Sequence, residues 1–169
     1  PKANGYRPIA SLVPFSEPLP GVPVGGVSSR DASGVFHTFV GTNDGGIYEI
    51  TSDGSWVARG TGFSAPSDGG RWVFIPFTPF VIAINANQDP LFIKTNDTSA
   101  GFVVLPGNPP RAAYGWVAGD RVMLANLDEG SNHVRWCSPN NIEQWEPGIA
   151  GADVNIFPTG GAIQGGVAF

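Results

Sequence analysis

Cysteine is almost missing: Cys137 is alone, so an intrachain disulfide is impossible and neither an oxidising nor a reducing compartment is indicated. Charge is scarce too, at 14% of the 169 residues against about a quarter in an ordinary soluble chain, which argues against long solvated helices. No window carries a helical stripe of apolar residues; the nearest, "NNIEQWEPG", stops at Pro147. The most apolar stretch, Trp72 to Ala86, is short and interrupted by Pro76 and Pro79, and nothing resembles a signal peptide. A soluble protein without a membrane partner is expected. Nine Lys and Arg against 14 Asp and Glu leave a net charge of −5. The basic residues are scattered, whereas wrapping nucleic-acid phosphates requires clustered cations.

What is abundant is Gly (24), Pro (16) and apolar side chains (41% hydrophobic, 11% aromatic). The aromatics supply a core, and the Gly and Pro punctuate it into short pieces. "FHTFV", "IYEI", "FVIAI", "LFI" and "FVVL" have the β-branched and aromatic content of strands.

Three phrases recur: "GTNDGGIYEI" from Gly41, "INANQDPLFI" from Ile84 and "LANLDEGSNHVRW" from Leu124. Aligning Tyr48, Phe92 and Arg135 gives spacings of 44 and 43 residues. An aromatic that opens a further strand follows each phrase, Trp56, Phe102 and Trp145, and another apolar segment precedes each, from Gly25, Arg71 and Ala112. A last such segment, "GAIQGGVAF", starts at Gly161. Four short strands repeated at this period predict an all-β, propeller-like array of four-stranded antiparallel blades, with a β-sandwich as the alternative. The expected blades span 25–60, 71–107 and 112–148, with a fourth beginning at 161; residues 1–24, rich in Pro, read as an extended lead-in over the blades. Three blades and a fraction fall short of closure, and both ends read as cut from a longer protein.

Asn43, Asp44, Asn87, Asp89, Asn126 and Asp128 sit in the three turns. Oxygen ligands suit calcium or a sugar, yet their spacing differs from turn to turn, and Asn and Asp favour turns by themselves. They are read as turn formers. Glu49, Asp120, Glu143 and Asp153 occupy unrelated contexts and form no glycosidase-like carboxylate pair. His37 and His133 have no nucleophile motif beside them and read as strand residues. Cys137 reads as a small packing residue, and the five Trp as core, with a sugar-stacking platform as the alternative. No catalytic, cofactor-binding or metal residue is assigned.

The phrases "GYRPIASLVPF", "GVFHTFVGT", "RWVFIPF", "PPRAAYGWVAGDRVMLAN", "NHVRWCSPNNIEQWEPG" and "NIFPTGGAIQGGV" resemble the hub or nozzle proteins of tailed-bacteriophage tails. The likeness covers most of the chain, departing at Cys137, where a serine is expected, and in lacking later blades. It implies a non-enzymatic virion structural protein without a cofactor, self-associated in a ring with other tail and adaptor proteins, around a lumen through which DNA passes without specific binding. An acidic wall is compatible with sliding DNA. A glycan-binding propeller module and a propeller glycosidase are the alternatives.

Overall fold

The computed structural model describes residues 13–167. Twelve strands follow in chain order: β1 (Pro23–Arg30), β2 (Phe36–Thr42), β3 (Ile47–Ile50), β4 (Trp56–Gly60), β5 (Val73–Phe77), β6 (Phe80–Asn85), β7 (Gln88–Lys94), β8 (Val103–Val104), β9 (Ala112–Ala118), β10 (Arg121–Leu127), β11 (Gly130–Trp136) and β12 (Asp153–Ile156). They make three four-stranded antiparallel sheets, β1-β2-β3-β4, β5-β6-β7-β8 and β9-β10-β11-β12, each in sequence order. The helical residues among those described are one 3-10 turn, Thr98–Ala100. A two-sheet sandwich does not accommodate the third sheet.

The sheets are stacked. β5 touches β1 on one side and β9 on the other, and β6 also reaches β9, so the first strands lie side by side with the middle sheet between its neighbours. Side-chain alternation along β6 serves both sides at once. Val81 and Ala83 join Phe39, Ile47, Trp72, Leu91, Ile93 and Phe102 in the core against the first sheet. Ile82 and Ile84 join Ile75, Val122, Leu124, Cys137 and Trp145 in the core against the third. Glycines allow the close approaches: a Cβ on Gly41 would run into the Trp72 ring, and one on Gly115 into Ile75.

Several expected boundaries shift. β1 begins at Pro23 rather than Gly25, β5 at Val73, and β8 is only two residues long. Trp145 does not open the outer strand of the third sheet; that strand is β12, and the sheet runs to Ile156 rather than 148. The cause is local. Asn140, Gly148, Ala150 and Gly151 all have φ between 50° and 80° or slightly above, at 54°, 80°, 50° and 85°, and this turn-rich run cannot join a ladder. Trp145 is instead buried, its indole N–H donating to Ile142 O at 2.6 Å. No strand forms at 161–167, the described part of the expected fourth blade, and residues 168–169 lie outside the described residues. That segment is held by Ile163 N–H to Ser131 O at 2.9 Å, while Asn126 Nδ2 donates to Ile163 O at 3.0 Å.

The aligned Tyr48 and Phe92 also fall on opposite faces. Phe92 pairs with Ile82 and packs toward the third sheet, whereas Tyr48 pairs with Val40 on the side away from the middle sheet. A one-residue offset is enough, because the side-chain period in a strand is two. Of the expected lead-in, residues 1–12 lie outside the described residues. Its visible part runs along the first sheet, with Glu17 N–H donating to Gly54 O at 3.0 Å and Trp56 Nε1 to Glu17 O at 2.9 Å.

Truncating Ile82, fully buried between the middle and third sheets, to Ala is predicted to lower the unfolding free energy by about 2–5 kcal/mol. Gly41→Ala, which overpacks Trp72, is predicted to cost about 1–3 kcal/mol. Chemical denaturation followed by tryptophan fluorescence checks both.

Candidate functional site

The turns that join the second and third strands are fastened to the chain entering the same sheet. Asn43 N–H donates to Val22 O at 2.9 Å, and Asp128 N–H donates to Arg111 O at 3.1 Å. In the middle sheet the bonds are made by side chains: Asn85 Nδ2 to Ser64 O and Asn87 Nδ2 to Ala65 O, both at 3.1 Å. Asp44 Oδ1 accepts from the Thr42 hydroxyl at 2.5 Å and from Gly46 N–H at 3.3 Å. Asp53 repeats the arrangement with Thr51 and Ser55 in the next turn of the same sheet. Asp89 forms an exposed ion pair with Arg111 at 2.6 Å, and Asn126 sits at φ 54° where the β10–β11 register shifts. Asn43, Asp44, Asn85, Asn87 and Asn126 thus bond backbone through their side chains, while Asp89 is taken up by Arg111. Among the described residues no group of three or more His, Cys, Asp and Glu is placed to hold a metal ion.

Of the four acids singled out in the sequence, only Glu49 is buried; Asp120, Glu143 and Asp153 are exposed on separate elements. Glu49 lies on the inward face of β3 beside Ile47, opposite Phe39. One carboxylate oxygen accepts from His37 Nδ1 and the other from Arg59 Nε, each at 2.6 Å. His37 stacks on Phe39 with ring centroids 6.3 Å apart, and its Nε2 is 3.6 Å from Asp31 Oδ2 with no hydrogen-bond partner. The arrangement is a charged tie across β2, β3 and β4. Among the described residues no hydroxyl or thiol is hydrogen-bonded to the imidazole, and the Ser33 hydroxyl donates to Asp31 instead. Arg59 was not visible as a partner in the sequence, although "IYEI" places a Glu in phase with a buried Ile, which demands a nearby cation.

His133 lies half-buried on β11, close enough to Gly130 that a Cβ there would meet its ring. Cys137 is fully buried, its Sγ accepting from Val122 N–H at 3.2 Å, and burial pushes the thiol's pKa up. Trp72 and Trp145 are core, and Trp72 Nε1 donates to Thr42 O at 3.1 Å. Trp116 and Trp136 are half-buried and flank Met123 across the third sheet, turned away from Val122 and Leu124.

The inner edges of the sheets line an open groove of about 400 Å³, bounded by Gly25 and Gly26 of β1, Val73 of β5, Gly115 of β9 and the segment Gln164–Gly166. Arg71 stands at its mouth, its guanidinium 5.7 Å from the centre of the Tyr114 ring. This cation had no motif to mark it in the sequence.

No family model and no curated protein matches the chain. Among solved structures, "YCF48 bound to D1 peptide" is similar at 19% sequence identity and a TM-score of 0.47, over 81% of this chain and 42% of that one. The chain thus spans less than half the length of that structure.

Removing the Glu49 charge with Glu49→Gln weakens its bonds to the partly buried Arg59 and His37, and the loss of such charge-assisted bonds costs about 1–3 kcal/mol; urea denaturation measures the loss. A pH scan tests the turns. The Thr42 hydroxyl holds Asp44 below the ordinary carboxylate range, as Thr51 does for Asp53, Ser33 for Asp31 and Ser99 for Asp97. A folded pKa below the unfolded one means stability that is complete above the unfolded value and is lost as pH falls through the folded one. Melting temperature is therefore predicted to drop below about pH 4, with a shallower drop in Asp44→Ala.

Proposed function

We propose that this chain is a structural protein of a tailed-bacteriophage tail, part of a propeller-like hub or nozzle ring, and that it performs no catalysis. One observation carries the reading: among the described residues, the outer sheet face at each end of the stack is apolar and only partly covered by the chain's own segments. Phe36 is 69% exposed on the first sheet, and Trp116, Met123 and Trp136 are only half-buried on the third. Contiguous apolar faces of this kind mark surfaces that another protein covers. The resemblance of the strand and turn phrases to tail hub and nozzle proteins supports the same role, as does the use of the repeated Asn and Asp side chains to brace turns. In this reading the protein sits in the virion, contacts other tail and adaptor proteins, and lines a passage for DNA that its net charge of −5 leaves unbound.

A second reading, a glycan-binding propeller module, is favoured by the accessible Trp116 and Trp136 pair. A glycan array separates the two, because the structural reading predicts no sugar selectivity.

The deciding experiment is an electron-microscopy reconstruction of the particle containing this protein. Rotationally symmetric density for it on the tail axis is the expected result. A folded protein found outside any tail, or a hydrolase activity lost on changing one carboxylate, overturns the proposal.

A further inference from the structure

Among the described residues an aspartate is followed by glycine at 44–45, 53–54 and 68–69. In such a pair the glycine main-chain nitrogen can close a five-membered ring on the aspartate carboxyl, and glycine has no side chain to obstruct the approach. The structure restrains two of the pairs. Asp44 accepts from the Thr42 hydroxyl and Gly46 N–H, and Asp53 from the Thr51 hydroxyl and Ser55 N–H. Those bonds hold both carboxyls below the ordinary range, in the ionised form that cannot release water. The two nitrogens are tied as well: Gly45 N–H donates to Thr42 O at 3.3 Å and Gly54 N–H to Thr51 O at 3.0 Å. The surrounding space is taken, since a Cβ on Gly45 would run into Phe63 O and one on Gly54 into Phe15 O.

At 68–69 all three restraints are missing. Asp68 and Gly69 are exposed at the centre of a turn that Gly70 N–H closes on Ser67 O at 2.7 Å. Among the described residues neither the Asp68 carboxylate nor Gly69 N–H makes a hydrogen bond. Gly69 sits at φ 72°, and a Cβ there would meet nothing within 4 Å. The chain is anchored again at Trp72, whose N–H donates to Val24 O and whose Nε1 donates to Thr42 O, each at 3.1 Å.

We propose that Asp68–Gly69 is a site of spontaneous covalent modification, at which the aspartate of the folded protein converts to isoaspartate. The Gly69 nitrogen attacks Cγ of the protonated Asp68 carboxyl; the N–Cγ bond forms, and the hydroxyl leaves as water with the amide proton. Water then opens the resulting succinimide. Cleavage of N–Cγ restores aspartate, whereas cleavage of the bond to the former main-chain carbonyl leaves Gly69 joined through the side chain and frees an α-carboxylate. The water consumed balances the water released, so no other reactant is needed. The product has one more main-chain atom, which an exposed loop accommodates while the anchored Trp72 keeps the core intact. The inference stands apart from the tail reading and holds whichever assembly contains the chain.

Incubating the folded chain in mildly acidic heavy-oxygen water, followed by tryptic mapping, tests it. Asp68 falls in the peptide 60–71 and both other pairs in the peptide 31–59, while Asn4–Gly5, outside the described residues, falls in neither. Isoaspartate carrying one heavy oxygen is expected to form at Asp68 about tenfold or more faster than at Asp44 or Asp53, because their ties must break before the ring can close. In the urea-unfolded chain those ties are gone, and the three pairs are expected to react at similar rates. Asp68→Glu, which lengthens the ring to be closed, is expected to abolish the change in 60–71 with the circular dichroism retained. Equal rates in the folded chain, a faster reaction at Asp44 or Asp53, no isoaspartate at Asp68, or the same excess at Asp68 in urea overturns the proposal.

Discussion

β6 has no polar face to offer solvent. Val81, Ile82, Ala83 and Ile84 are each fully buried, two turned toward the first sheet and two toward the third. Each neighbouring sheet can cover only one side of this strand, so a structure of two sheets leaves two large side chains in water. Burying a Val or Ile is worth about 1.5–3 kcal/mol, and the stack is the arrangement that collects this on both sides. Everything else follows from keeping the sheets close: the small residues at Gly41 and Gly115, the close approach of Trp72 to the first sheet, and the loop-borne Trp145 filling the core between the middle and third sheets.

The turns and the charged tie hold the strands of each sheet in register. Bonds from Asn43, Asn85, Asn87 and Asp128 to entering segments fix where each sheet begins. The bonds that Asp44 and Asp53 accept from a neighbouring hydroxyl and backbone N–H satisfy groups that the connections 43–46 and 51–55 leave without ladder partners. Glu49 answers a different need. On a face that otherwise buries Phe39 and Ile47, its charge is tolerated because Arg59 and His37 occupy both oxygens. His37, Glu49, Arg59, Asp44 and Asp53 are thereby committed to holding the strands of the first sheet together.

Much of this was legible in the sequence, for identifiable reasons. Aromatic and β-branched runs separated by Gly and Asn turns recur at a nearly constant interval, so strand number and sheet membership could be read from "FHTFV" to "NHVRW". Faces and outer strands were harder. Spacings of 44 and 43 residues differ by one, which in a strand exchanges inside for outside, and Phe92 shows the result. The third outer strand was misplaced because Trp145 sits where Trp56 does in the repeat, yet the positive-φ run from Asn140 to Gly151 turns the chain before β12 can pair. Arg59 and Arg71 went unmarked because their partners are brought near only by pairing and stacking. Glu49 was visible as an acid, but its burial depends on which side of β3 faces the middle sheet.

Native-state hydrogen exchange, resolved to single amides, tests the central role of β6 most directly. Opening β6 requires separating both neighbouring sheets, so the amides of Val81 to Ile84 that bond into the ladder are predicted to exchange slowest in the chain and only through global unfolding. β1–β4 and β9–β12, each packed against another sheet on one face only, are predicted to exchange faster through partial opening. Equal protection in all three sheets, or β6 amides that exchange while those of β2 or β10 remain protected, contradicts the account.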